Sequence, residues 1–399
     1  MMLKNMVHRK LQNEKYDERK EFPTLESIAT TEVGRHFEKF ATLEGLDERL
    51  HAGIRKKIIE NAIELTIKEG ADIHSVNTTA RSIHLEEYWK KACEYRWSKE
   101  HRAKTLAIEN NGLSWKVAYL ERHVTELIEK IANFEEFYQK KEVIHTLHIV
   151  SSWIFSLDLA VVPQNFDLRI VFENLPLLRE VTLKYSEGPM TEKRRDSVGM
   201  KLAEAANLGE SVKNSYSLVQ LNVSGNEIDD DLFKFIMAGV ACNISLLELN
   251  LSHNRVGDHG AKRLAKFLIR NEILVVLNLT NNCIGYDGSR YLSQALKINK
   301  TLEELHLKLN KFDDKAGSKF FKDLSLNTGL LMVDLSANSL GHLSARKIAE
   351  LIQTGTGLRQ ILLGSNDFSH DSLVIIKGSI PEPRGCEHFE ASKFSEIRL

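Results

Sequence analysis

The chain has 399 residues, with 27% charged and 42% hydrophobic residues and only six prolines, a composition suited to a helix-rich chain with room for two domains or one long repeat array. Its 54 basic and 55 acidic residues leave a net charge of −1, so no global field attracts nucleic acid or an anionic membrane. Cys93, Cys242, Cys283 and Cys386 lie far apart without a C-x-x-C pair, which reads as reduced thiols of a cytosolic-type compartment. Residues Met1 to Lys10 lack the apolar core of a signal peptide, and the apolar stretch Ile149 to Val162 is too short to span a bilayer.

In chain order, residues 1–21 form a charged, apolar-poor arm. Residues 22–140 read as a small all-α module that docks to other proteins. One helix is expected over Leu46 to Ile67, with Leu50, Ile54, Ile58 and Ile63 on one stripe. A second is expected from about Leu85 to Ser98. A third runs from the N-cap Ser114 to about Tyr138, with Val117, Leu120, Val124, Leu127, Ile128 and Ile131 at helical spacing. Two aromatic phrases fall on these helices, Tyr88 to Trp97 and Ser114 to His123. Packing is one reading of them, because Trp and Tyr bury much area. A partner-docking surface is the other, since Trp, Tyr and Arg dominate interface energetics. The docking candidates are Tyr88, Trp89, Tyr95, Arg96, Trp97, Trp115, Tyr119 and Arg122. Helical spacing puts residues 88, 92 and 95 on one face and 89, 93, 96 and 97 on the other, so one face is expected to pack and the other to meet a partner.

Residues 141–380 are built on repeats. Asn226, Asn254, Asn282, Asn310, Asn338 and Asn366 stand 28 residues apart. Each closes the phrase L-x-x-L-x-L-x-x-N, spelled by Leu246, Leu249, Leu251 and Asn254. Alternation at Leu249 and Leu251 marks a short strand with one buried face. The Asn then sits at a turn, where its amide can bond backbone groups of its own and the neighbouring coil. After it comes a turn and a helical pattern such as Ala261, Leu264, Ala265 and Leu268. Weaker strands are expected at Leu178 to Leu183 and at Ile144 to Ile149, making eight, with 12 extra residues inserted over Ser186 to Ser197. The fold class is an α/β solenoid of ribonuclease-inhibitor-like leucine-rich repeats, strands inside and helices outside, behind the all-α module. Residues 381–399 are a short tail.

The inner strand face is read as three columns. They are Gln220, Glu248, Val276, Glu304, Met332 and Gln360; then Asn222, Asn250, Asn278, His306, Asp334 and Leu362; then Ser224, Ser252, Thr280, Lys308, Ser336 and Gly364. Short polar side chains are the default filling of such a face, and a basic groove for nucleic acid is disfavoured. No phosphate-binding loop, nucleotide fingerprint or nucleophile elbow occurs, and His84, Glu86, His123 and Glu126 lack the partners of a metal site. The expectation is therefore no catalytic residue, no metal, no cofactor, no small-molecule substrate, no nucleic acid and no membrane.

The phrases Y-W-K-x-x-C-E-x-R-W at Tyr88 to Trp97 and S-W-K-x-x-x-x-E-R-H at Ser114 to His123, placed before such repeats, resemble the dynein regulatory complex subunit 5 family from about Phe22 to Ile376. The resemblance implies a structural subunit of the nexin–dynein regulatory complex, in the axoneme of a cilium or flagellum. Its partners would be other subunits of that complex and axonemal proteins. Two other functions fit a helical module before repeats. One is a ubiquitin-ligase substrate adaptor, with Leu43 to Ile67 as an F-box-like helix pair lacking the opening Leu-Pro. The other is a Ran-type GTPase-activating protein, whose strongly acidic tail is not matched by the mixed run from Pro381 to Leu399.

Overall fold

The computed structural model describes residues 86–97, 114–131, 137–162, 166–185, 199–355, 357–380 and 396–398. The N-terminal arm, the helix expected over Leu46 to Ile67 and the insertion over Ser186 to Ser197 lie outside the described residues. Two compact units divide the chain, one of residues 1–124 and 142–154, the other of residues 125–141 and 155–399.

Three described α-helices precede the strands, and the unit boundaries at residues 124 and 142 fall within the second and third of them. Helix α1 spans Glu86–Arg96, α2 spans Trp115–Ile131 and α3 spans Phe137–Val150. Ser114 caps α2 as its sequence position predicts, its Oγ accepting the Val117 N–H at 3.4 Å. The same hydroxyl donates to Glu86 Oε1 at 2.7 Å, and Glu86 Oε2 accepts the Trp115 N–H at 2.6 Å. One acidic residue thus ties the start of α1 to the start of α2.

Helix α3 corrects the sequence reading. Residues Ile144 to Ile149 were expected as the first strand, and the solenoid boundary at residue 141 falls inside this helix. Val143, Thr146, Leu147 and Val150 are buried at helical spacing, with Ile149 buried beside them. The first strand begins ten residues beyond the expected frame: Ile154, Leu157 and Leu159 are all buried and spell the opening phrase.

The second unit repeats strand and helix. After β1 (Ser156–Leu159) come α4 (Arg169–Asn174), β2 (Glu180–Leu183), α5 (Leu202–Asn214), β3 (Gln220–Asn222), α6 (Asp230–Val240) and β4 (Glu248–Asn250). Then follow α7 (Asp258–Leu268), β5 (Val276–Asn278), α8 (Tyr286–Leu296), β6 (Glu304–His306), α9 (Asp314–Leu324) and β7 (Met332–Asp334). The last are α10 (His342–Thr354), β8 (Gln360–Leu362), α11 (His370–Ser379) and β9 (Glu396–Arg398). Among the described residues nine strands form one parallel sheet in sequential order. Strand β9, inside the expected tail, pairs Ile397 with Ile361.

Each regular strand buries its central residue and most leave both flanking residues partly open, as in Glu248, Leu249 and Asn250; in β7 Asp334 is buried as well. That alternation turns one sheet face onto the helix layer. Leu249, Leu277 and Leu305 are consecutive partners in register, so the core is a continuous row of like side chains. Helices α5 and α6 approach most closely at Gly209 and Gly239, where a β-carbon on either would collide with a carbonyl of the other helix.

Candidate interaction surfaces

The asparagine ladder connects adjacent coils. Asn282 Oδ1 accepts the Val256 N–H at 2.9 Å, 26 residues back. Its Nδ2 donates to the Leu251 carbonyl at 2.9 Å and the Leu279 carbonyl at 3.1 Å. Asn254, Asn310, Asn338 and Asn366 make the same set to residues 26, 31 and 3 positions earlier. Asn226 reaches across the insertion, to the Tyr185 N–H and the Leu183 carbonyl. The residue before each ladder Asn is left-handed: Gly225, His253, Asn281, Leu309, Ala337 and Ser365 have φ of 54° to 69°. Only Gly, and to a lesser degree Asn, adopts that region readily. The ladder bonds hold the others there.

Two further ladders escaped the sequence reading. Asp230 Oδ1 accepts the N–H groups of Gly257 and Gly260, and Asp258 Oδ1 those of Gly285 and Gly288. Asp314 does the same for Gly341 and Ser344, with Oδ2 accepting from Leu343. An aspartate at the start of one helix therefore caps the helix of the following repeat. At the turns after the helices, Asn243, Asn299 and Asn327 donate to two carbonyls of the preceding coil. The signal was present as the same 28-residue period in Asp and in a second set of Asn.

Asp314 and Asp323 carry the electrostatic consequences. Burial acts to raise the Asp314 pKa, but N–H groups of Ser344, Leu343 and Gly341 outweigh it and hold the carboxylate below its ordinary value. Asp323 is also lowered: burial is opposed by Lys297 at 2.8 Å, Lys319 at 2.7 Å and the Ser293 hydroxyl at 2.9 Å. Both groups brace neighbouring helices.

The open strand face follows the expected columns. Thr182, Asn222, Asn250, Asn278, His306, Asp334 and Leu362 are partners in register. Asn222, Asn250, Asn278 and Asp334 each accept the backbone N–H two residues on, at 2.9 to 3.1 Å. That local bond explains the column without a ligand. His306 breaks it and lies 3.8 Å from Glu304.

The aromatic phrases pack against each other. Trp89 and Tyr119 are fully buried, and Tyr88, Trp97 and Trp115 are buried as well. The Trp89 and Tyr119 centroids are 5.2 Å apart, those of Trp97 and Tyr119 5.0 Å. Arg96 donates to the Tyr119 hydroxyl at 3.0 Å and lies 2.9 Å from His123 Nδ1. Arg122 lies over the Trp97 ring at 4.7 Å. The expectation that one helical face packs and the other meets a partner is corrected, because both are interior at their large side chains: Tyr88 on one, Trp89, Cys93 and Trp97 on the other, with Arg96 half-buried. The Tyr95 side chain lies outside the described residues. Burial pushes the Cys93 thiol up to about 12, well away from thiolate chemistry. Lys116 is buried too, its ammonium 4.0 Å from the Trp153 ring centroid, and burial lowers its pKa.

Comparison with known proteins agrees with the repeats. The family described as Leucine Rich repeat matches residues 242–265, 270–293 and 299–321. Dynein regulatory complex subunit 5 of Chlamydomonas reinhardtii is 27% identical over 157 residues, 37% of this chain. The matched part spans 36% of that relative's own length. A solved structure titled Leiomodin-1 Actin-Binding Site 2 (ABS2) is 26% identical over 34% of this chain and 79% of that one, at a TM-score of 0.31. Among the described residues no helix is long and apolar enough to cross a membrane. The second unit is thus a leucine-rich-repeat solenoid, and the chain is similar in sequence to dynein regulatory complex subunit 5.

Proposed function

We propose that this protein is a non-catalytic scaffold of a nexin–dynein regulatory complex, held in the axoneme of a cilium or flagellum by contacts with other subunits and axonemal proteins. In this role it helps link doublet microtubules and regulate ciliary motility. The observation that carries the reading is the similarity to dynein regulatory complex subunit 5. The repeats support it physically. Every interior coil is tied to its neighbour by the asparagine at the turn after the strand, and several are also tied at the start of the helix or at the turn after it. A stack bonded in this way resists shear between coils while presenting an extended surface, which suits a part that bears load and binds protein.

Imaging a tagged copy in ciliated cells tests the assignment. Signal along the length of the axoneme is the expected result. A protein confined to the cytoplasm or nucleus contradicts it.

A further inference from the structure

We propose that the rim formed by the helix-to-strand turns docks an amphipathic segment of a protein partner, one whose apolar row is flanked by carboxylates. This rests on the scaffold reading and names the surface it uses. Six consecutive turns, those leading into β2 through β7, each place a large apolar side chain in solvent: Leu177, Tyr216, Ile244, Ile269, Ile298 and Leu326. Their exposures run from 42% at Leu177 and Ile269 to 81% at Tyr216. Single exposed apolar residues are ordinary on any surface. Here one recurs in six successive repeats on the same edge, three to seven residues ahead of strands that are parallel and in register.

The rim is also rigid. Asn243 Oδ1 accepts the Ser245 and Leu246 N–H groups beneath Ile244, and Asn327 does the same for Gly329 and Leu330 beside Leu326. Binding such a preset edge orders little of this chain. At about 4.8 Å per strand, the row covers roughly 24 Å at least, the length of a helix of about 16 residues.

Charge selects the occupant. Arg179, Lys213, Lys266, Arg270, Lys300 and Lys322 are exposed on the last helical turns or the turns themselves, against Glu173, Glu272 and Glu303. Asp323 does not offset them, because Lys297 and Lys319 already engage it. The excess of cations beside an apolar row fits an acidic amphipathic segment.

The test is fluorescence anisotropy with the full chain and a labelled helical peptide carrying Leu at i, i+3 and i+4 positions and Glu elsewhere. A matched peptide with Lys in place of Glu is the control. The Glu peptide is expected to bind, and the Lys peptide about tenfold more weakly or worse. Ile298→Ser with Leu326→Ser, and separately Lys300→Glu with Lys322→Glu, are each expected to weaken binding by about tenfold while the thermal melt stays unchanged. Equal binding by these variants, no binding by the wild type, or tighter binding of a single-stranded oligonucleotide at the same residues overturns the proposal. Rim binding by a protein absent from axonemes would instead sink the scaffold assignment and leave the rim intact.

Discussion

Asp258 Oδ1 accepts the backbone N–H of Gly285 at 2.7 Å, so a carboxylate of one repeat caps the helix of the next. The ladder is interrupted where the aspartate column holds Tyr286 or His342. There the following helix begins with its own capping residue, Asp313 or Ser369, whose side chain accepts the N–H of Ala316 or Ser372. Where the column holds Asp230, Asp258 or Asp314, the following cap position is Gly257, Gly285 or Gly341, with no side chain to do the work. Asp258→Ala is expected to cost about 1–2 kcal/mol, the worth of an N-cap. Gly285→Ser in that background should recover part of it. Hydrogen exchange at Gly285 and Gly288 reads the effect locally. Unchanged protection in Asp258→Ala would show that the cross-repeat cap adds nothing.

Asn282→Ala removes an acceptor for Val256 and donors for Leu251 and Leu279 in the middle of the stack. The expected loss is about 1–3 kcal/mol, because buried backbone groups are left unpaired. Leu279→Ala, at a fully buried side chain, should cost about 2–5 kcal/mol through a cavity. Denaturant midpoints of the full chain order the two. Wild-type stability for Asn282→Ala contradicts the bracing role.

Leu309 occupies a left-handed position, φ 56°, and is 44% exposed. Glycine there relieves about 1–2 kcal/mol of backbone strain and loses about 0.4–1 kcal/mol to unfolded-chain entropy. Leu309→Gly should therefore leave the protein as stable as the wild type or up to about 1.6 kcal/mol more so. A drop in melting temperature would mean that the side chain packs more than its exposure indicates.

Acid should loosen the helix layer before it dissolves the strand core. Asp314 and Asp323 have folded-state pKa values below the ordinary carboxylate value. A lowered folded pKa contributes stability that is complete above the unfolded value near 3.9 and is lost as pH falls from there through the folded one. Amide exchange at Gly341, Leu343 and Ser344, followed between pH 5 and 2, should rise over that lower window. Asp314→Asn keeps an acceptor oxygen but cannot titrate, so it should flatten the profile. An identical profile in that variant places the acid sensitivity elsewhere.

The period carried most of the fold. Strand phrases and ladder asparagines repeat every 28 residues, and the structure puts the phrases on strands β3 to β8. Off the period the reading divides: the expected strand at Leu178 to Leu183 is β2, but the one expected at Ile144 to Ile149 is a helix. Ile144, Leu147 and Ile149 match the strand template by chance, and the burial of Val143, Thr146, Leu147 and Val150 shows that helical spacing prevails. Strand β9 is three residues without a repeat, recognisable only from its pairing with β8. For the aromatic phrases, sequence could not separate packing from docking, because both select Trp, Tyr and Arg. The contacts of Trp89, Trp97 and Tyr119 decide for packing at those side chains. A Trp89→Ala variant would therefore report lost folding, at about 3–5 kcal/mol, before it reported a partner.

Cross-linking of intact axonemes and mass spectrometry of the products test the central claim most directly. The account predicts that this chain is recovered with the axoneme and cross-linked to dynein regulatory complex subunits through lysines of the repeat unit, Lys300 and Lys322 among them. Recovery only in the soluble fraction, or cross-links confined to proteins outside that complex, would contradict it.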